Sequence, residues 1–210
     1  MKVKKAQPVD VDYTAVKIRV GVGYGWMKVD EGSSDNGRAV LADVFWTTLK
    51  DAFTGKHSAV EKLGVKVEFS RLRARHGKIV WPSVLDKIAQ SDIVIFDVAA
   101  APEARNICEQ DFDMGKILSQ MGEDKNVLNA NVLVEIGAAI ALDKRVMLLC
   151  PEAWRKFIPS DLNGYLWTLY RWNGCGKNSK RVFVDQYGMQ NGYISMLREV
   201  LNEKTKCEET

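Results

Sequence analysis

The chain has 210 residues, 46% of them hydrophobic and 27% charged, enough to bury the core of one domain or of one domain carrying an elaborated loop. Thirty basic residues against 27 acidic ones leave a net charge of only +3, which does not point to a general nucleic-acid binder. No apolar run is long enough to span a bilayer, and the charged start MKVKKAQPVDVDY lacks the apolar segment of a signal peptide.

Residues 1–13 read as a polar lead-in, and 14–206 as a single α/β domain. VKIRVGVGY (16–24) is rich in β-branched residues and predicts a strand that runs into the loop GWMKVDEGSSDNGR. In 39–53, Val40, Leu41, Val44, Phe45, Leu49 and Phe53 recur at helical spacing. GVKVEFSRL (64–72) predicts a second strand, and Pro82 stands near the start of the short helix PSVLDKIAQ. SDIVIFDVAA (91–100) holds a continuous apolar run, the pattern of a strand covered on both faces. The polar stretch of about 101–128 falls between core elements and reads as an insertion or lid.

A helix of about 131–143 follows, then the buried strand RVMLLC (145–150) halted by Pro151. IPSDLNGY turns the chain, YLWTLYRW (165–172) predicts a last strand, and NGYISMLREVLNEK (191–204) a closing amphipathic helix. Strands alternating with helices imply a mainly parallel sheet with helices on both faces, a flavodoxin-like three-layer sandwich. Ligands of such sheets bind outside the carboxyl ends of the strands. That rule points to the loops after Tyr24, Leu72, Asp97 and Cys150.

The cysteines, Cys108, Cys150, Cys175 and Cys207, are widely spaced with no CxxC, and His57 and His76 do not complete a zinc set with them. They read as reduced thiols of a cytoplasmic protein. Asp111 and Asp113 lack the remaining positions of a calcium loop, so no metal is expected.

The stretch NANVLVEIGAAIAL (129–142) poses the functional question, because Glu135 interrupts an almost wholly apolar helix. Glu135 shares a helical face with Asn131, Val132, Ala138 and Ala139, and Asn129 or Asn131 is placed to cap the helix. A carboxylate in a first turn is favoured by the helix dipole, and pairing with an arginine is a second ordinary explanation. Against both stands the apolar company, since burying a charge without a partner is costly.

SDIVIFDV, a variable loop and NVLVEIGAAIALDKRVMLL together resemble the nucleoside 2-deoxyribosyltransferase-like superfamily. The shared pattern is a strand ending in Asp, a helix reading roughly N-x-x-x-E-[IL]-G-x-A, and an apolar strand after Lys. TIR domains share the layout, with a glutamate on the equivalent helix. The resemblance covers about residues 83–150 well and the first strand loosely; no motif covers the C-terminal third. It implies N-glycosidic bond chemistry without a metal or separate cofactor, NAD being a possible substrate. Glu135 matches the catalytic glutamate, which attacks or stabilises the anomeric carbon as the base departs. Transferases often hold the base with an acidic residue just before that glutamate. Asn129 and Asn131 occupy the stretch here, which fits hydrolysis as well as or better than base exchange. In related families an aromatic or polar residue after the first strand lines the pocket and can orient the glutamate; Tyr24 and Trp26 match that place, or else both pack against the loop. Standalone domains of this kind often serve as effectors of bacterial defence against phage. The resemblance also implies a homo-oligomer, or a partner regulatory protein, around a small-molecule nucleotide.

Asp97, at the end of its strand, is placed to bind a ribose hydroxyl or to cap the next turn. Arg71, Arg73 and Arg75 alternate in SRLRARHGK, so in an extended chain they point one way, toward a phosphate or toward solvent. RWNGCGKNSKR (171–181) reads as a second basic loop. The alternation Gly21, Gly23, Gly25 is not a dinucleotide fingerprint, because no helix opens directly after it. A nucleotide-binding module without turnover, and a true deoxyribosyltransferase, are the alternative functions.

Overall fold

The computed structural model describes residues 16–24, 50–54, 59–72, 80–98, 130–152, 155, 158–162, 164–173 and 180–208. Six strands form one sheet: β1 (Lys17–Tyr24), β2 (Lys66–Arg71), β3 (Ile93–Asp97), β4 (Arg145–Pro151), β5 (Leu166–Asn173) and β6 (Lys180–Phe183). The helices are α1 (Ala59–Leu63), α2 (Val80–Gln90), α3 (Ala130–Ala141) and α4 (Gln186–Glu208), and residues 50–54 form a further helical segment.

The strand order is β2-β1-β3-β4-β5-β6, the first five strands being parallel and β6 antiparallel to β5. This is the flavodoxin-like arrangement, whose order reverses between β1 and β3. β1 is flanked by β2 on one side and β3 on the other, and it is at the carboxyl ends beside such a reversal that sheets of this architecture bind ligands.

Residue alternation along each strand assigns the two faces. Ile18, Val20 and Val22 of β1, Ile93 and Ile95 of β3, and Met147 and Leu149 of β4 pack with Phe53 and with Met189, Tyr193, Leu197, Val200 and Leu201 of α4. On the other face Val94, Phe96 and Val98, with Val146, Leu148 and Cys150, meet Val84 and Ile88 of α2 and Val132, Ile136 and Ala139 of α3. All five residues of β3 are buried, as a central parallel strand covered on both faces requires. The β4–β5 connection contains a single 3-10 turn (Ser160–Leu162) among its described residues, and Ile158, Leu162 and Tyr165 pack over the second cluster there.

The amino-terminal edge is fastened by charge. Asp92 accepts a 2.8 Å hydrogen bond from the Arg19 amide and pairs with Lys204 of α4 at 2.9 Å. Arg145 reaches Glu199 at 3.2 Å and also pairs with Glu203. Asp92 therefore joins β1 and α4.

Several boundaries differ from the sequence reading. Part of the basic loop expected at 171–181 is hairpin, since Arg171–Asn173 pair with Lys180–Val182 across the β5–β6 ladder. Helix α1 was not expected, and α4 begins five residues before the helix read at 191–204 because Asp185 caps it: its Oδ1 accepts from the Gly188 amide at 2.7 Å. Pro151 closes β4 as its last residue instead of lying beyond it. The lead-in, the lid and most of the helix expected at 39–53 lie outside the described residues.

Candidate active site around Glu135

Helix α3 buries one stripe: Val132 and Ile136 are 1% exposed, Ala139 is fully buried, and Glu135 is 9% exposed among them. These four positions, spaced i, i+3, i+4 and i+7, are the ones a helix gives to the core. Glu135 thus occupies a core position. It is the sixth residue of α3, not a member of its first turn. The dipole explanation loses its footing, because that effect falls off within the first turn.

Nor is the carboxylate paired. Its Oε2 is buried with no hydrogen-bond partner, so among the described residues neither a donor nor an arginine meets it. Burial alone pushes the Glu135 carboxyl up to about 7 from an ordinary 4.5. An orphaned buried carboxylate oxygen is costly, and such groups are enriched at sites of chemistry or binding.

Its place in the sheet is defined by Gly23. A β-carbon built on Gly23 would stand 2.8 Å from Glu135 Oε2 and 2.5 and 2.6 Å from Cδ1 and Cε1 of Phe96. Gly23 pairs in register with Phe96, and Tyr24 with Asp97. The carboxylate therefore lies over the carboxyl-terminal ends of β1 and β3, where the strand order reverses and where ligands of this architecture bind.

The other expected site residues are distributed as follows. The backbone of Tyr24 ends β1 beside Asp97, on the same strand end as Gly23. Asn131 is exposed in the first turn of α3, one helical turn before Glu135, and so is not the residue preceding the helix. Asp97 is fully buried and accepts a 3.1 Å hydrogen bond from the Tyr170 hydroxyl, on the α4 side of the sheet. Asp97 and Glu135 consequently reach the carboxyl edge from opposite faces. Arg71 ends β2, half-buried, and its carbonyl accepts from Lys87 Nζ at 3.2 Å. Trp26, Arg73, Arg75 and Asn129 lie outside the described residues.

Two further residues belong to this neighbourhood without having been singled out as contributors: Gly23 and Phe96. The only sequence signal for Gly23 was a glycine inside a strand, which marks close approach of another group. Cys150 has a free, buried thiol, pushed up to about 12 by burial and then by the nearby Asp97 carboxylate, so it is a core residue and no nucleophile. Among the described residues no cluster of His, Cys, Asp and Glu could hold a metal ion, and no helix is long and apolar enough to cross a membrane.

No family model matches the chain, and no curated protein matches it significantly.

Proposed function

We propose that the protein is a cytoplasmic N-glycosidase that cleaves the base–ribose bond of a nucleotide, NAD⁺ or a nucleoside phosphate, with Glu135 as its catalytic carboxylate. One observation carries this reading: a buried carboxylate oxygen without a partner, at the strand ends where the sheet order reverses.

The chemistry follows from that placement. As the C1′–N bond breaks, its electron pair leaves with the base and positive charge grows on the ribose C1′ and ring oxygen. A carboxylate held close by stabilises that charge strongly, because little water screens it. If the oxygen closes on C1′, a glycosyl–enzyme ester forms; water then attacks C1′, the ester bond breaks, and the water proton is released. With NAD⁺ the nicotinamide leaves neutral and needs no proton. Its pyridinium charge also favours the ionised form of a carboxyl that burial has biased toward the neutral one. This supports NAD⁺ ahead of neutral nucleosides. Asn131 and Tyr24 would shape the sugar site, Asp97 would support the adjoining strand end from the other face, and Arg71 and Arg73 are the candidate phosphate contacts. A homo-oligomer or a regulatory partner, and a role as an anti-phage effector, fit an enzyme that consumes such a nucleotide.

The test is to incubate the purified chain with NAD⁺, nucleoside monophosphates and deoxynucleoside monophosphates and to resolve released base by chromatography, with and without an acceptor base. Release abolished by Glu135→Gln supports the assignment; release untouched by that change ends it. Tight nucleotide binding without product would mark a binding module for signalling, and product formed only with the acceptor a deoxyribosyltransferase.

A further inference from the structure

The residue opposite Glu135 raises a separate question. Gly23 sits in the interior of a buried parallel strand, and its backbone does not lie in the left-handed region, where among the described glycines only Gly64 is found. A strand interior disfavours glycine relative to alanine. Neither backbone geometry nor propensity accounts for it. What accounts for it is the space its missing side chain leaves, which is occupied from two sides: by the Phe96 ring, at 2.5 and 2.6 Å from the β-carbon position, and by Glu135 Oε2, at 2.8 Å. Contacts that short are not tolerated, so any side chain at position 23 must displace one or both neighbours. Phe96 is fully buried, and little room is open to its ring. The ring clash falls on Phe96 and the strand itself, and the carboxylate, at the end of three rotatable bonds, is displaced as well.

We propose that Gly23 is a positioning residue for Glu135: the bare backbone of β1 is the seat that holds the carboxylate against the strand end. This rests on the glycosidase reading for its catalytic meaning. Glu135 has no hydrogen-bonding partner on Oε2 to fix its rotamer, so its position is set by shape. The α-hydrogen of Gly23 points at Oε2 where a methyl group would otherwise stand, and the Phe96 ring closes the side. Held so, the carboxylate meets a sugar carbon without reorganising, which is where much of the advantage of a preorganised site lies.

The experiment compares Gly23→Ala with two partners in the full chain. Gly21→Ala is the control: the same strand and face, with a β-carbon whose nearest neighbours are Ser91 Oγ at 2.6 Å and Leu72 Cδ2 at 2.9 Å rather than Glu135. The double variant Gly23→Ala/Phe96→Leu removes the ring clash and keeps the methyl against the carboxylate. Turnover of NAD⁺ and the carbon-13 titration of the Glu135 carboxyl are read on each folded variant. Gly23→Ala is expected to lower kcat about 100-fold with KM nearly unchanged, and to move the Glu135 titration toward the ordinary carboxylate range. The double variant is expected to show the same two changes, and Gly21→Ala neither. Full recovery in the double variant would reduce Gly23 to a packing residue and overturn the proposal, as would an unaltered titration in folded Gly23→Ala. Should the wild type release no base, the glycosidase reading fails while the titration still decides whether Gly23 seats the carboxylate.

Discussion

The Tyr170 hydroxyl reaches past β4 to donate a 3.1 Å hydrogen bond to Asp97 Oδ1, two strands away and on the sheet face opposite α3. Both residues are essentially inaccessible to solvent. Removing one partner of a buried hydrogen bond costs about 1–3 kcal/mol, so Tyr170→Phe should lower stability by that order. In a domain of this size the melting temperature should fall by roughly 2–12 °C. Calorimetry checks it, and a shift under 1 °C would show that the bond contributes nothing.

Glu135 should make the protein less stable as pH rises. Its folded carboxyl titrates near 7 against 4.5 for the ordinary group, so the folded state holds its proton more tightly. Below 4.5 both states are protonated and there is no effect. Between 4.5 and 7 the unfolded state ionises first and stability declines. Above 7 the penalty is complete, of the order of 3 kcal/mol. Glu135→Gln cannot ionise, so its melting temperature minus that of the wild type should grow from pH 4 to pH 8. A pH-independent difference would contradict the burial argument.

Activity should run the other way. A carboxylate that stabilises a sugar cation must be ionised, so kcat/KM for NAD⁺ should rise with pH and level off above an apparent pKa near 7, reporting the free enzyme. A rate already constant from pH 5 upward would mean that another group controls the step. Stability and turnover would then trade against each other at one residue.

Cys150 should be inert. A thiol buried in the second core cluster and pushed up to about 12 offers almost no thiolate at neutral pH. Alkylation of the folded chain followed by peptide mass spectrometry should leave Cys150 unmodified, and denaturant should expose it.

Asp143 closes α3 in the left-handed region, at φ 52°, while the Lys144 amide donates to the Ala139 carbonyl at 3.0 Å and the Asp143 amide to Ile140 at 3.0 Å. This is the helix-ending motif that usually carries glycine. Asp143→Gly should therefore stabilise the chain by about 0.5–1 kcal/mol, after its unfolded-state entropy is set against the relief of the left-handed residue. Urea midpoints measure it; a lower midpoint would show that the aspartate side chain contributes more than its backbone strain costs.

Most of the layered fold was legible in the chain, for a local reason. The β-branched run of β1, the unbroken apolar run of β3 and the apolar stripe of α3 are periodicities that neighbouring residues impose on one another. Glu135 stood out for the same reason: a charge at a core position breaks a local rule. β6 did not stand out, because KRVF is four residues long and its pairing with β5 is a tertiary event. The start of α4 was missed because QYGMQ is a poor helix opening until Asp185 caps it.

By itself, then, the sequence determined which segments are strands and helices, and that one carboxylate stands among apolar neighbours, since both depend on residues a few positions apart. Only the tertiary structure decided what that carboxylate faces. Gly23 and Glu135 are far apart in the chain and meet because β1 and β3 are adjacent and α3 lies across them. The same pairing set Asp97 on the opposite face with Tyr170, because alternate residues of a strand point to opposite sides and only the packed sheet says which side each helix covers.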